Sequence, residues 1–324
     1  MPDRQTMRYT QVYTYALHFP SLYGEGKWRV RFLCLLLCWI PLSLFGAGDT
    51  LRVLCIGNSF SIDAVEQELL PLAEAEGIPL RVGNLYIAGC SLRQHAANAQ
   101  DAHDAYSYRE LYGTIRLQTD SVSLRHALQA EPWDVITMQQ ASHDSGLWDT
   151  YAPFLQIIID TVRSYCPHAR LAWHQTWAYE TTATHPGFAN YNYDQTQMYH
   201  AICACADSVM KYYPFDILIP TGDAVQWYRE QCQTTSYAYR RYQAAPVTRD
   251  GFHLSFEYGR YMAACVWLES LTGKRVHRHN CLTITYYGYP DKTTGCYSSV
   301  PSRSVRSACT ERRCRRTAHR SVSF

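Results

Sequence analysis

Apolar and polar positions along the middle of the chain switch repeatedly between a short-run period and a helical one. Leu51-Arg52-Val53-Leu54-Cys55-Ile56 is an apolar run in which Val53, Leu54 and Ile56 read as a buried strand. Gly57-Asn58 breaks it at a pair suited to a sharp turn. From about Asp63, the residues Val65, Leu69, Leu72 and Ala73 recur at helical spacing, Pro71 predicts a kink or two short helices, and Gly77 ends the stretch. Residues 80–85 predict a second strand. A Gly-containing loop, Tyr86-Ile87-Ala88-Gly89-Cys90-Ser91-Leu92, then opens a helix to about Ala105. Residues 106–118 alternate around Gly113, the pattern of a small hairpin insertion, and residues 121–130 form a short helix. A third strand, Trp133 to Gln139, leads into the polar loop Gln140-Ala141-Ser142-His143-Asp144-Ser145-Gly146.

The next helix carries Phe154, Ile157, Ile158, Val162 and Tyr165, starts at Pro153 and stops at Pro167. Residues 170–176 are the fourth strand, followed by the aromatic loop Trp177-Ala178-Tyr179 and a long Thr-, Asn- and Tyr-rich connection. Asp194 with Gln197 resembles a capping box for a helix whose apolar face is Met198, Ile202, Cys205, Val209 and Tyr212. Ile217-Leu218-Ile219 is a fifth short strand. Helices over residues 222–231 and 256–271 complete the body, the last ended by Gly273. Strands alternating with helices predict an α/β protein with a parallel sheet covered on both faces. In such sheets function gathers at the carboxyl ends of the strands, and there lie the polar clusters 57–59, 89–91, 139–143 and 174–179.

Charge divides the chain into three. Residues 1–48 carry a net +3, residues 49–273 a net −10 and residues 274–324 a net +9. The acidic body argues against nucleic acid as its main partner. In the first segment Lys27, Arg29 and Arg31 precede the apolar run from Phe32 to Phe45, and Gly46-Ala47-Gly48 follows. That order is the one found in a secretory signal peptide, and the run is short for a membrane span. A secreted or periplasmic location is expected, with membrane contact only through this segment if it stays uncleaved. The last segment, rich in Ser, Arg and Thr, reads as a basic disordered tail. The expected organisation is therefore an N-terminal extension and signal peptide (1–48), one catalytic-size domain (49–273) and a tail (274–324). The chain has 13 cysteines. Those of the body (Cys55, Cys90, Cys166, Cys203, Cys205, Cys232 and Cys265) are odd in number and lack a framework spacing, so most read as small buried hydrophobes. His200, Cys203 and Cys205 point different ways on a helix and do not make a metal site.

Two stretches carry chemistry. Ser59 lies just past the turn that ends the first strand, where a hydroxyl projects from the sheet edge beside free backbone N–H groups. The same turn also suits a plain helix entry capped by Ser59, Ser61 or Asp63. Near the other end, Asp250-Gly251-Phe252-His253 sets an Asp three residues before a His in a loop that opens a helix. There the carboxylate can orient the imidazole, and the imidazole can take a proton from a serine.

In the order Ser, Asp, His, these stretches resemble the SGNH (GDSL-like) hydrolase superfamily. Gly57-Asn58-Ser59-Phe60-Ser61 resembles its first block, Gly89 the glycine of its second, and Asp250-Gly251-Phe252-His253 its last. The runs Gln139-Gln140-Ala141-Ser142-His143 and Trp173-His174-Gln175-Thr176-Trp177-Ala178-Tyr179 are similar to a secreted bacterial branch whose function is uncharacterised. The resemblance implies a flavodoxin-like three-layer α/β/α sandwich with a central parallel five-stranded sheet. It further implies a serine esterase with Ser59 as nucleophile, His253 as base and Asp250 as its orienting partner, requiring no metal or organic cofactor. The N–H groups of Ser59 and Gly89 would hold the oxyanion. Where the family offers a third donor from an Asn, this chain offers Gln140 or His143, and the sequence does not choose between them. The implied substrate is a small-molecule or polysaccharide ester, most readily an acyl group such as acetyl on a carbohydrate. His174, Trp177 and Tyr179 would then form an aromatic substrate platform. The alternatives are an SGNH-fold carbohydrate-binding protein without turnover, and a lipase or thioesterase. Acyl group, sugar and oligomeric state stay open.

Overall fold

The computed structural model describes residues 49–230 and 246–277. The chain enters through β1 (Leu51–Gly57) and turns at once into α1 (Ser59–Val65) and α2 (Leu69–Ala75). It continues through β2 (Leu80–Tyr86), α3 (Leu92–Gln100), a hairpin of β3 (Tyr106–Tyr112) and β4 (Ile115–Val122), and α4 (Leu124–Ala130). Then come β5 (Val135–Met138), α5 (Phe154–Tyr165), β6 (Arg170–His174), α6 (Gln195–Tyr212), β7 (Ile217–Ile219), α7 (Thr221–Tyr228) and α8 (Gly259–Thr272).

The sheet order is β4-β3-β2-β1-β5-β6-β7. β2, β1, β5, β6 and β7 run parallel, while the β3–β4 hairpin adds two antiparallel strands outside β2. Counted alone, the parallel strands take the order 2-1-3-4-5, which is the flavodoxin-like winding. The five parallel strands are those expected from the apolar runs. The hairpin turns at Gly113, whose φ of +52° suits a residue without Cβ.

β1 shows why the sheet needs helices on both sides. Val53 and Cys55 join one core, with α1, α2 and α8, whereas Leu54 and Ile56 join the other, with α3, α4 and α5. Neighbouring side chains of a strand point to opposite faces, so an unbroken apolar run is buried on both. The first core contains the Phe60–Trp177 stack, with ring centroids 4.1 Å apart and planes 7° from parallel.

Helix starts follow capping chemistry. Ser91, Ser123 and Asp194 each accept a hydrogen bond from the backbone N–H three residues on. The expected kink at Pro71 is a full break at residues 66–68, which leaves Pro71 in the first turn of α2, where a missing N–H costs little. The first helix begins at Ser59, not near Asp63. Its cap is Asn58, whose Oδ1 accepts from Phe60 N at 3.0 Å. At the far end, Gly273 (φ +67°) closes α8 in the left-handed conformation. Ordered packing continues past it: Val276 is buried in the first core and the His277 ring pairs with Glu76 at 2.8 Å. The signal-like segment and most of the basic tail lie outside the described residues.

Candidate active site

Ser59 owes its position to the two residues before it. Gly57 must lack a side chain, since a Cβ there would fall 2.7 Å from Ser61 Oγ. Asn58 is extended (φ −140°, ψ −154°) and buried, and its carboxamide is engaged through both its oxygen and its nitrogen. Oδ1 accepts from Phe60 N and, at 2.8 Å, from Gln139 Nε2, while Nδ2 donates to the Cys90 carbonyl at 3.1 Å. The Asn58 carbonyl in turn accepts from the Ser61 hydroxyl at 2.7 Å. Ser59 therefore becomes the first residue of α1, where backbone N–H groups have no partner within the helix.

The second half of the site is the loop from Val247 to Ser255. An isolated bridge pairs Thr248 with Leu254, and Arg249 N donates to the His253 carbonyl at 2.9 Å. Gly251 takes φ +93° and packs against Ala183, where a Cβ would meet the Ala183 Cα at 2.9 Å. Asp250 Oδ1 accepts from the N–H groups of Phe252 (3.1 Å) and His253 (2.7 Å), and Oδ2 faces His253 Nδ1 at 2.6 Å. His253 Nε2 lies 2.9 Å from Ser59 Oγ. A carboxylate can only accept at neutral pH, so Nδ1 carries the proton and Nε2 receives the hydrogen bond of the Ser59 hydroxyl. Partial burial pushes the Asp250 carboxyl pKa up. The hydrogen bonds from the His253 N–H, the His253 ring and the Phe252 N–H outweigh this and hold it below the usual carboxylate range.

Three anchors fix this loop against the serine turn. The Asp63 carboxylate, fully buried one turn along α1 from Ser59, accepts from Leu254 N at 2.7 Å and pairs with Arg249 (2.9 Å) and Arg260 (2.6 Å). The Trp177 indole N–H donates to the Phe252 carbonyl at 2.6 Å. Glu180 N donates to the Gly251 carbonyl at 2.7 Å, and the Glu180 carboxylate is held by Arg229 and Thr248. Asp63 was readable in sequence only as a possible helix cap; it is instead the tie between the two halves.

The remaining expected site residues divide. Gly89 sits on the loop after β2, exposed, with φ +62°, next to the Cys90 whose carbonyl is bound by Asn58. Gln140 is buried and its amide is spent on structure. Oε1 accepts from Leu92 N (2.9 Å) and Ala141 N (2.8 Å), while Nε2 donates to the Thr150 hydroxyl (2.9 Å) and carbonyl (3.2 Å). It therefore has no free N–H for an oxyanion. His143 is half-buried, stacked on His185 with centroids 5.5 Å apart, its Nε2 3.6 Å from Asp144.

The expected aromatic platform is corrected by burial. His174, Trp177 and Tyr179 are each at most 1% exposed. Trp177 lies beneath Phe60, Tyr179 OH bonds Ser142 Oγ at 2.7 Å, and His174 is enclosed between Gln139 and Thr221. They support the site from inside the molecule and offer no face to a ligand. Among the described residues the cysteines Cys55, Cys90, Cys166, Cys203, Cys205 and Cys265 are free thiols, and Cys232 lies outside them. No group of His, Cys, Asp or Glu among the described residues is arranged to hold a metal ion. No described helix is long and apolar enough to cross a membrane.

Residues 52–286 match a family described as "Domain of unknown function (DUF4886)". The chain belongs to the DUF4886 family. A crystal structure of a DUF4886 protein from Bacteroides uniformis is 36% identical, with 82% of this chain and 95% of that one covered and a TM-score of 0.64. Looser likenesses include a protein from Slackia heliotrinireducens named provisionally as an SGNH hydrolase (19% identity, 69% and 100% covered, TM-score 0.41). Another is an acetyl-xylooligosaccharide esterase from Geobacillus (13% identity, 72% and 99% covered, TM-score 0.42). No curated protein matches the sequence. In this DUF4886 chain the matched segment runs past Gly273, in keeping with the packing of Val276.

Proposed function

We infer that this DUF4886 protein is a serine hydrolase of ester bonds. One observation carries the reading: Ser59 Oγ, His253 and the Asp250 carboxylate form a continuous hydrogen-bonded line of 2.9 Å and 2.6 Å in the tautomer that base catalysis needs. In the first step Ser59 Oγ attacks the ester carbonyl carbon while its proton passes to His253 Nε2. The oxygen of the tetrahedral intermediate takes the negative charge and is received by the N–H groups of Ser59 and Gly89. Collapse breaks the bond to the alcohol, which leaves with the proton from His253. Water then attacks the acyl-serine, again giving its proton to His253, and the acid departs as Ser59 regains its hydrogen. Asp250 keeps the imidazole turned and stabilises its charged form throughout.

The further reading is a secreted enzyme that removes acyl groups, acetyl among them, from carbohydrates. Its support is the signal-like order of residues 27–48 and the resemblance to a secreted branch of SGNH hydrolases. The test is labelling by a fluorophosphonate, followed by peptide mapping and a chain-length series of nitrophenyl esters beside acetylated oligosaccharides. Modification at Ser59 with preference for acetyl over long chains is the expected result. Preference for long chains makes the protein a lipase or thioesterase. Absence of labelling leaves the rival reading, a carbohydrate-binding protein without turnover, which the fully occupied Gln140 amide favours.

A further inference from the structure

The geometry points to His174, 1% exposed and away from the reacting atoms, as a positioning residue that fixes both halves of the proposed oxyanion hole through Gln139 and Asn58. This inference rests on the serine hydrolase reading for its kinetic consequence, though not for its structural content.

The direction of every hydrogen bond in this buried line follows from two backbone groups at its end. Phe60 N–H can only donate, so it fixes the Asn58 oxygen; the Cys90 carbonyl can only accept, so it fixes the Asn58 nitrogen. With Oδ1 turned inward, Asn58 needs a donor from Gln139, which must present Nε2 at 2.8 Å. The Gln139 oxygen then faces His174 Nδ1 at 2.7 Å, so Nδ1 carries the hydrogen. His174 Nε2 is left as an acceptor, and Thr221 Oγ1 donates to it at 3.1 Å. The donor order is therefore Thr221 to His174 to Gln139 to Asn58.

Only a neutral imidazole donates on one side and accepts on the other. The surroundings keep it neutral. The Trp267 ring lies edge-on at 4.8 Å and the Trp177 ring at 6.1 Å, and burial pushes the His174 pKa down to about 3. Ionisation is thus removed from the line over the whole working range of pH.

What the line holds is the separation of two loops. Asn58 caps the helix that begins at Ser59 and binds the Cys90 carbonyl, one residue beyond Gly89. A rotated Asn58 amide would set its nitrogen against Phe60 N–H and its oxygen against the Cys90 carbonyl, two repulsive contacts that push the Ser59 and Gly89 N–H groups apart. Donors placed for a developing charge act on the transition state, so such a change lowers kcat and leaves KM nearly unmoved.

The test joins a spectroscopic readout to a kinetic one on the full chain. Long-range proton–nitrogen correlation of the nitrogen-15-labelled protein should show His174 as the Nδ1–H tautomer, unchanged between pH 5 and pH 9. Asn at this position keeps an N–H toward Gln139, whereas Phe keeps none. His174→Asn is therefore expected to stay within about 3-fold of the parent kcat, and His174→Phe to fall by about 100-fold with KM within about 2-fold. The Asn58 side-chain amide signals should move in His174→Phe and hold in His174→Asn. An Nε2–H tautomer, a titrating His174, or a folded His174→Phe with parent kcat overturns the inference. If His174→Phe does not fold, Thr221→Val decides. With the Thr221 donor gone, Gln139 alone should still hold His174 as the Nδ1–H form, and appearance of the Nε2–H form overturns the inference. A parent protein without esterase activity defeats the proposed function instead, since the tautomer and the Asn58 signals are read without substrate.

Discussion

The Asp63 carboxylate accepts a hydrogen bond from Leu254 N at 2.7 Å, across 191 residues of chain. It thereby joins the helix that begins with Ser59 to the residue that follows His253. Arg249 and Arg260 neutralise the buried charge from the same side. Removing one member of such a cluster leaves the others buried without compensation. Asp63→Ala should therefore lower stability by about 3–5 kcal/mol, roughly 6–20 °C in melting temperature. Calorimetry checks the size. A melting temperature within 2 °C of the parent, about what 1 kcal/mol or less produces, would show the tie to be dispensable.

Substitution of the three hydrogen-bonded residues should separate chemistry from folding. Ser59→Ala and His253→Ala are each expected to remove nearly all esterase activity, since the two act as one unit, with melting temperatures near the parent value. Asp250→Asn keeps the shape of the side chain but offers the ring the wrong partner, and should cost about 10²- to 10⁴-fold in kcat. Steady-state rates on a nitrophenyl acetate read all three. Parent-like turnover by Ser59→Ala would remove the nucleophile assignment.

Glu68 gives a pH dependence of opposite sign to the usual carboxylate. Burial pushes its pKa up to about 7, against smaller opposing effects of the Gln67 side chain and the Arg260 charge. As pH rises through the ordinary carboxylate range, the unfolded chain loses this proton while the folded one keeps it, so stability falls until about pH 7 and then levels. Glu68→Gln should abolish that decline and raise stability at pH 8 by about 1–3 kcal/mol. Urea denaturation at pH 5 and pH 8 measures it, and equal gains at both values would contradict the assignment.

Gln140 and His143 should now behave differently. With its amide tied to Leu92 N, Ala141 N and Thr150, Gln140→Ala leaves buried partners unsatisfied and should destabilise by about 1–3 kcal/mol. His143→Ala leaves the fold intact and, if the ring is the third oxyanion donor, lowers kcat by about 10²-fold. Thermal melts and kcat for both variants decide. Unchanged kcat in His143→Ala means that backbone N–H groups complete the hole.

The sheet was legible because its strands are apolar on both faces, and the runs at 51–56, 133–139 and 217–219 allow little else. The order of Ser59, Asp250 and His253 was legible because each lies in a turn whose chemistry is local. Burial of polar and aromatic side chains was not. The ring of Trp177 and the carboxylate of Asp63 are placed by partners some 75 and 191 residues away, and neither partner leaves a mark on the local pattern. The same holds for Gln140. An amide that can serve an oxyanion can equally cap two backbone N–H groups, and only the approach of the loop at Leu92 decides.

β1 comes first among the body's strands yet lies at the centre of the seven-stranded sheet, between β2 and β5. Its serine meets its histidine only 194 residues later. A growing or cut chain that lacks residues beyond 249 thus carries the Ser59 hydroxyl without its histidine partner, however much of the sheet it has formed. Docking of the last loop completes the Ser59–His253 contact, so on the serine hydrolase reading a serine-reactive probe added during refolding would report completion of the molecule, not collapse of its core.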